Sequence, residues 1–372
     1  MKSKAAVLLE PGKPLEILEV ELVPPGPGEV LVRWTASGLC HSDLHVIGGH
    51  LPARLPMIMG HEGAGVVEEV GAGVFSVAPG DHVVCSFLPS CGRCRWCASG
   101  HSNLCNDGAN LLEGCLPNGR FTTALADGTA VGRMCMLGTF SERAVVAEAS
   151  TVKIDDWLPL DKAALVGCGV TTGFGAAVNT ANIRTGDTVV IFGCGGLGIN
   201  AVQGAVHAGA RYIFVIDPEP RKLQWAIEFG ATHAFSSFEQ AQPVITEVTW
   251  GEGADKAIVL AGEADATITG QAFALTGKRG EIVLVSMGAS DAMSVTLPGT
   301  ALSLYEKSVK GCLFGSANPR HEIPRLLRMY DAGQYKLDEL VTSTYTLDEI
   351  NRGYEDMQNG LNLRGLLVLN AG

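Results

Sequence analysis

Apolar and polar positions divide this chain into two regimes. Up to about residue 165, short runs rich in β-branched residues recur: EVLVRWTASG (29–38), GAGVVEEVG (63–71), DHVVCSF (81–87) and ERAVVAE (142–148). Turn signals such as PPGPGE and APGD separate them, which predicts short strands in a compact, barrel-like domain. The pattern changes near residue 170. DTVVIF (187–192) reads as a buried strand, GLGINAVQGAVHAGA (196–210) as a helix, YIFVID (212–217) as a strand and RKLQWAIEFGA (221–231) as a helix. THAFSS (232–237), ADKAIVLAG (254–262) and GEIVLVSMG (280–288) continue the strand series with helical stretches between them. Alternating strand and helix predicts a doubly wound parallel sheet of the Rossmann type.

The tail carries a helical segment, EIPRLLRMYDAG (322–333), and a last strand, GLLVLN (365–370). It is expected to return to the first domain. The predicted organisation is α/β: residues 1–169 and 312–372 form a β-rich domain, and 170–311 a cofactor domain. The Gly- and Pro-containing stretch 106–137 is expected as a lobe or loop over the first. There is no internal repeat and no low-complexity segment.

Composition narrows the function classes. Of 372 residues, 47% are hydrophobic and 18% charged, as in ordinary globular proteins. The formal net charge of −12 argues against a general nucleic-acid or anionic-membrane binder. Glu10 breaks the N-terminal apolar run before a signal-peptide core could form, and no later run is long enough to span a bilayer. The expectation is a cytoplasmic protein whose eleven cysteines serve metals or remain free thiols.

Gly193-Cys194-Gly195-Gly196-Leu197-Gly198 fits G-x-G-x-x-G between a strand and a helix. Gly193 permits the tight turn, Gly195 clears the approach of a pyrophosphate, and Gly198 lets helix and strand pack closely. The helix N-terminus offers free N–H groups to the phosphates. Asp217 ends the second strand, where a carboxylate accepts both ribose hydroxyls and repels a 2′-phosphate, so NAD is favoured over NADP. Lys222 lies five residues on and could support the ribose. The alternatives are a Gly-rich turn without a ligand, or a methyltransferase of similar fold.

Cys91, Cys94, Cys97 and Cys105 form C-x₂-C-x₂-C-x₇-C. Four thiolates so close can enclose one Zn²⁺ tetrahedrally, leaving no position for water, which makes such a site structural. Two disulfides or scattered buried thiols remain the alternatives. Cys40 in GLCHSD, His61 in GHEGAG and Cys168 in VGCGV are a further candidate set. Two thiolates and one imidazole would leave a fourth position for an alcohol oxygen, whose hydroxyl Zn²⁺ acidifies so that an alkoxide can exist near neutral pH. Spacing alone does not join these three; each alone reads as a core residue.

GLCHSD, GHEGAGVVEEVGAGV, the cysteine run, GCGVTTG and IFGCGGLG occur in the order found in zinc-dependent medium-chain alcohol dehydrogenases, and the resemblance covers essentially the whole chain. The tail (FGSANPRHEIPRLLRMYDAGQYKLDELVTSTY, then NLRG) resembles the actinobacterial branch, which includes nicotinoproteins assayed with N,N-dimethyl-4-nitrosoaniline. The resemblance implies a GroES-like catalytic domain, NAD, and two zinc ions per chain. It makes Cys40, His61 and Cys168 the catalytic zinc ligands. Ser42 matches the hydroxyl that takes the substrate proton, and His45 the imidazole that passes it to solvent through the cofactor ribose. Asp43 would orient His61, and Glu62 would sit behind the zinc. Thr172 would touch the nicotinamide and Arg364 the pyrophosphate. Phe87, Met136 and Leu137 align with apolar substrate-pocket positions. On residue type alone, Ser42 and Thr172 read as backbone-capping hydroxyls, Asp43 as a turn residue, and the three apolar residues equally as core.

Two departures qualify the match. His41 stands where many members place an arginine on the pyrophosphate, and imidazole holds phosphate less strongly than guanidinium. The segment LGTFSERA after Met136 is shorter than usual. Cys85, Cys115, Cys135, Cys194 and Cys312 have no assigned role. The expected function is reversible NAD-linked oxidation of a primary, hydrophobic alcohol by a homo-oligomer, a dimer or higher. Other readings are a nicotinoprotein that keeps its NAD, a thiol-dependent formaldehyde dehydrogenase, and a non-catalytic zinc- and nucleotide-binding protein.

Overall fold

The structure, a computed structural model, describes residues 1–262, 265–286 and 295–369. The chain divides into two compact units, residues 1–168 with 318–372, and residues 169–317.

The first unit is built from two sheets. In one, Lys2–Leu8 lies antiparallel to Glu16–Leu22, and the short strands Met57–Ile58, Thr123–Ala124 and Gly132–Arg133 extend it. In the other, the long strand Glu29–Gly38 pairs with Glu62–Val70, Arg143–Ala147 and Arg364–Val368. Alternate apolar residues of these strands bury into cores: Val30, Val32 and Trp34 pack with Val67, Val83 and Leu137, and Ala5, Val7 and Val20 with Leu31 and Val145. The result is the nearly closed, GroES-like barrel. The stretch 106–137 is stitched into this unit and not merely laid over it. Thr123–Ala124 pairs with Glu21–Leu22, and Gly132–Arg133 runs parallel to Met57–Ile58.

Among the described residues, the second unit holds six parallel strands in the order His233–Phe235, Tyr212–Ile216, Thr188–Phe192, Ala254–Val259, Thr276–Leu284, Ser308–Gly311. Order reverses beside Thr188–Phe192, the doubly wound arrangement. The central strands Thr188–Phe192 and Tyr212–Ile216 are nearly all apolar and buried, as strands covered on both faces are. The predicted strand GEIVLVSMG starts earlier, at Thr276, and its last two residues lie outside those described.

Residues 312–317 stay with the second unit. Thr180 Oγ1 donates to Cys312 Sγ (3.2 Å) and shares a hydrogen bond with Ser316 Oγ (2.8 Å), and Asn179 Nδ2 donates to the Gly315 carbonyl (3.1 Å). The tail helix begins at Pro319, three residues before the predicted start, because Asn318 caps it and proline suits the first helical turn. A strand, Val341–Tyr345, and a helix, Ile350–Gln358, precede the last strand; the hydrophobic pattern did not single them out.

Candidate functional site

The strand Glu29–Gly38 ends two residues before α1 (His41–Ile47), and Cys40 is the residue that begins this helix. Asp43, in the first turn of α1, accepts from the Cys40 backbone N–H through Oδ2 (3.2 Å). Its other oxygen, Oδ1, lies 3.0 Å from His61 Nδ1. One buried carboxylate therefore ties two candidate ligands together. In the tautomer whose Nδ1–H donates to Asp43, His61 Nε2 is left with its lone pair free for a metal.

Strand register supplies the rest. Gly38 pairs with Glu62 on one side and with Leu366 on the other. Glu62 and Arg364 are thereby brought together, and the Arg364 guanidinium bonds the Glu62 carboxylate in a buried ion pair. Cys168 follows the turn Ala164–Gly167. The ligand atoms of Cys40, His61, Glu62 and Cys168 all lie within 4.8 Å of one another, and all four residues are buried.

The charges fit a cation. A hydrogen bond with Cys168, together with His61, holds the Cys40 thiol well below its usual range, whereas that same bond and burial push Cys168 up. Burial would push His61 down, but Asp43 and Cys40 outweigh it and raise it. Burial raises Glu62 to about 7 against the pull of Arg364. Two thiols sharing one proton beside an imidazole are the donor set a soft-to-borderline divalent metal replaces protons on. Glu62 is engaged by Arg364, which leaves two sulfurs and one nitrogen as the free donors.

Around this centre, Cys40 Sγ lies 3.7 Å from Ser42 Oγ. His45 is half-buried on α1 and His41 is exposed. The Phe87 ring stands edge-on to His61, centroids 5.8 Å apart. Leu137 packs into the core with Trp34 and Val83, and Met136 is buried at positive φ. Met134 and Cys135, which the sequence pattern left without a role, join the apolar cluster of Leu39, Val46, Met59 and Phe140, which Phe87 also flanks. Burial raises the Cys135 thiol to about 12, and His61, Asp43 and Cys40 are the charges that act on it. Its left-handed backbone, φ 54°, turns it toward this cluster, a feature no sequence spacing announces.

The four-cysteine run folds around itself. Backbone N–H groups of Cys94, Cys97 and Cys91 donate to the sulfurs of Cys91, Cys94 and Cys105 at 3.4, 3.5 and 3.5 Å. Sulfur pairs Cys91–Cys97 and Cys94–Cys105 are 3.9 Å apart. That is about twice a disulfide bond, so the disulfide alternative is set aside. It matches the edge, about 3.8 Å, of a tetrahedron of sulfurs about 2.3 Å from a zinc. Backbone donation from Cys97 holds the Cys94 thiol down at about 6, as a thiolate ligand requires.

In the second unit, Gly195 precedes the helix Gly196–His207, and Leu197 lies in its first turn. Gly193 adopts φ +87°, and a Cβ there would meet the Ala261 nitrogen at 2.6 Å. A Cβ on Gly198 would collide with the Gly193 carbonyl, whereas one on Gly195 would meet nothing within 4 Å. Gly195 thus borders open space in front of a helix N-terminus, which fits a pyrophosphate. Asp217 is buried at the end of its strand and accepts from the backbone N–H of Cys194 (2.8 Å) and Glu219 (2.9 Å), with Lys222 Nζ 3.7 Å away. Thr172 is buried in the helix Gly169–Gly175. Arg364, expected on a pyrophosphate, has Glu62 as its partner in the first unit, and its Nε is buried without a partner among the described residues.

A GroES-like barrel, a doubly wound nucleotide unit and two sulfur-rich clusters define a zinc-binding dehydrogenase. Residues 26–156 match the alcohol dehydrogenase GroES-like domain and 196–332 the zinc-binding dehydrogenase domain. The chain belongs to the zinc-dependent medium-chain alcohol dehydrogenase family, and is an enzyme of that kind. It is 53% identical to the NDMA-dependent alcohol dehydrogenase of Amycolatopsis methanolica over 371 residues, covering 100% of both chains. Among solved structures it is similar to a zinc-binding-domain alcohol dehydrogenase protein from Burkholderia ambifaria (TM-score 0.94, 34% identity, 100% of each chain). It is also similar to the benzyl alcohol dehydrogenase of Acinetobacter calcoaceticus (TM-score 0.92, 29% identity, 100% of each chain).

Proposed function

We propose that this alcohol dehydrogenase reversibly oxidises a primary alcohol carrying an apolar substituent to its aldehyde, with NAD as hydride acceptor. In this reading Cys40, His61 and Cys168 hold a catalytic zinc, and Cys91, Cys94, Cys97 and Cys105 hold a structural one. The observation that carries it is the buried cluster of ligand atoms within 4.8 Å, with Asp43 fixing His61. When bound, zinc supplies a Lewis acid that acidifies the alcohol hydroxyl, and NAD supplies the hydride acceptor.

The protein's own residues do the remainder. Asp43 holds the His61 ring and its tautomer. Ser42 Oγ, beside Cys40, receives the substrate proton, and His45, three residues on along α1, takes it toward solvent. Phe87 and the Cys135 cluster exclude water and take the apolar part of the alcohol. Glu62, tied to Arg364, backs the metal position. Gly193, Gly195, Gly196, Leu197 and Gly198 cradle the pyrophosphate, Asp217 and Lys222 hold the ribose, and Thr172, His41 and Arg364 complete the cofactor contacts. The net charge of −12 suits a cytoplasmic enzyme without nucleic-acid or membrane partners. The exposed edge strand Ser308–Gly311, with Leu304 and Tyr305 at the surface beside it, supports a homo-oligomer.

Metal analysis with a Cys40→Ser variant tests this reading. The parent should carry two zinc ions per chain and the variant one. Alcohol oxidation should fall at least about 10³-fold, the loss of several kcal/mol of electrophilic assistance. Full turnover by Cys40→Ser would overturn the catalytic assignment.

The likeness to an NDMA-dependent enzyme favours a second reading, in which NAD stays bound between turnovers and an external acceptor reoxidises it. The purified protein would then carry about one NAD(H) per chain through gel filtration, released only on denaturation and detected by mass and by nicotinamide absorbance. Cofactor-free protein that turns over with added NAD would reject it.

A further inference from the structure

The turn after α1 folds a second imidazole back onto the first. α1 ends at Ile47, and the N–H groups of Gly48 and Gly49 donate to the carbonyls of Leu44 (2.8 Å) and Val46 (3.0 Å). The next closure is longer: the Leu51 N–H donates to the carbonyl of His45 itself, at 2.9 Å. That bond returns the chain to the last turn of the helix and sets His50 beside His45. The two rings stand 6.3 Å apart between centroids, with planes at 82°. Gly48 makes the arrangement possible, because a Cβ there would lie 2.9 Å from His50 Nδ1. His45 is half-buried and His50 is exposed.

We propose that His50 is a second station on the proton path, taking the proton from His45 and giving it to solvent. This rests on the reading that Ser42 and His45 carry the substrate proton. Imidazole rings at this spacing can share one bridging water. A neutral imidazole accepts at one nitrogen and donates at the other, so each ring can pass a proton along without reorienting. The N–H bond of the His45 imidazolium breaks as an N–H bond forms on His50 by way of the water. His50 then yields its proton to bulk base, and both rings return to neutral. No electrons move. His45 alone meets solvent from a half-buried position, whereas His50 is exposed to buffer.

The experiment uses the zinc- and NAD-loaded enzyme in weak buffer. Proton release in a single turnover is followed with a pH-indicator dye, alongside alcohol oxidation, for the parent, His50→Gln and His45→Gln. Glutamine keeps bulk and hydrogen bonding but cannot carry a proton. His50→Gln should slow proton release several-fold, up to about tenfold, with zinc content and Tm unchanged, and imidazole buffer should restore the rate. His50→Gln releasing protons at the parent rate would overturn the proposal. So would a slowed rate that imidazole does not restore, since that is the mark of a structural role. If His45→Gln is slow while His50→Gln matches the parent, only the second station falls. If both match the parent, the underlying relay falls as well.

Discussion

Arg133 is 1% exposed, and neither terminal nitrogen of its guanidinium meets a partner among the described residues. The nearest carboxylate in its field, Glu29, is occupied by the Arg120 guanidinium, the Asn118 amide and the Gly26 N–H. Burial holds Arg133 down to about 9. At neutral pH the folded chain therefore carries an unpaired buried charge, which is destabilising. Arg133→Met should raise unfolding stability by about 1–4 kcal/mol. The sign of the pH dependence follows. The unfolded chain keeps this proton to higher pH than the folded one, so in that window stability rises with pH. The gain from Arg133→Met should be full below about pH 9 and shrink above it, as denaturant titrations of both proteins would show. A loss of stability at neutral pH would mean that the guanidinium has a partner.

At the scale of the element, the nucleotide loop separates two demands that one motif imposes on glycine. A methyl on Gly198 strikes the Gly193 carbonyl, so Gly198→Ala must push helix from strand, at a cost of about 1–3 kcal/mol. A methyl on Gly195 meets nothing in the protein. Gly195→Ala should therefore keep the parent Tm while weakening NAD about tenfold or more, because the methyl occupies space meant for phosphate. Calorimetry and NAD titration of the pair check this. Equal melting and equal NAD affinity for both variants would show that neither demand is real. The motif and its strand–helix setting were legible from sequence. The motif also assigned close packing to Gly198 and phosphate approach to Gly195; the folded chain adds what each missing Cβ would touch. The helix α1 was not legible as an element: its seven residues are too few for a helical period to declare itself.

At the scale of the whole molecule, charge and topology govern. With a net charge of −12 the chain should pass through a double-stranded DNA column at about 0.1 M salt, since counterion release needs basic clusters on a binding face. Retention reversed by salt would reveal such a face, and the tail helix with Arg320, Arg325 and Arg328 is where to look. The alternation of strand and helix predicted the doubly wound sheet because a parallel strand must be followed by a crossover. Return of the tail to the first unit follows from its last strand, which pairs with Glu29–Gly38.

The clustering of the four cysteines and the glycine-rich turn was readable because their partners lie within a few residues, so spacing alone approximates geometry. The position of Asp217 just after its strand was readable because strand ends are. The buried cluster around His61 was not. Cys40 and His61 meet because the strands that flank them pair Gly38 with Glu62, and Cys168 arrives from the separate turn Ala164–Gly167. The same register joins Glu62 to Arg364, and two successive left-handed residues, Cys135 and Met136, shape the turn that holds Cys135 near the site. A backbone bond between Leu51 and His45 sets His50 beside the His45 ring. Residue types and local spacing follow from the sequence by itself. Contacts between distant residues are fixed by hydrogen-bond register and backbone handedness, which only the folded chain displays.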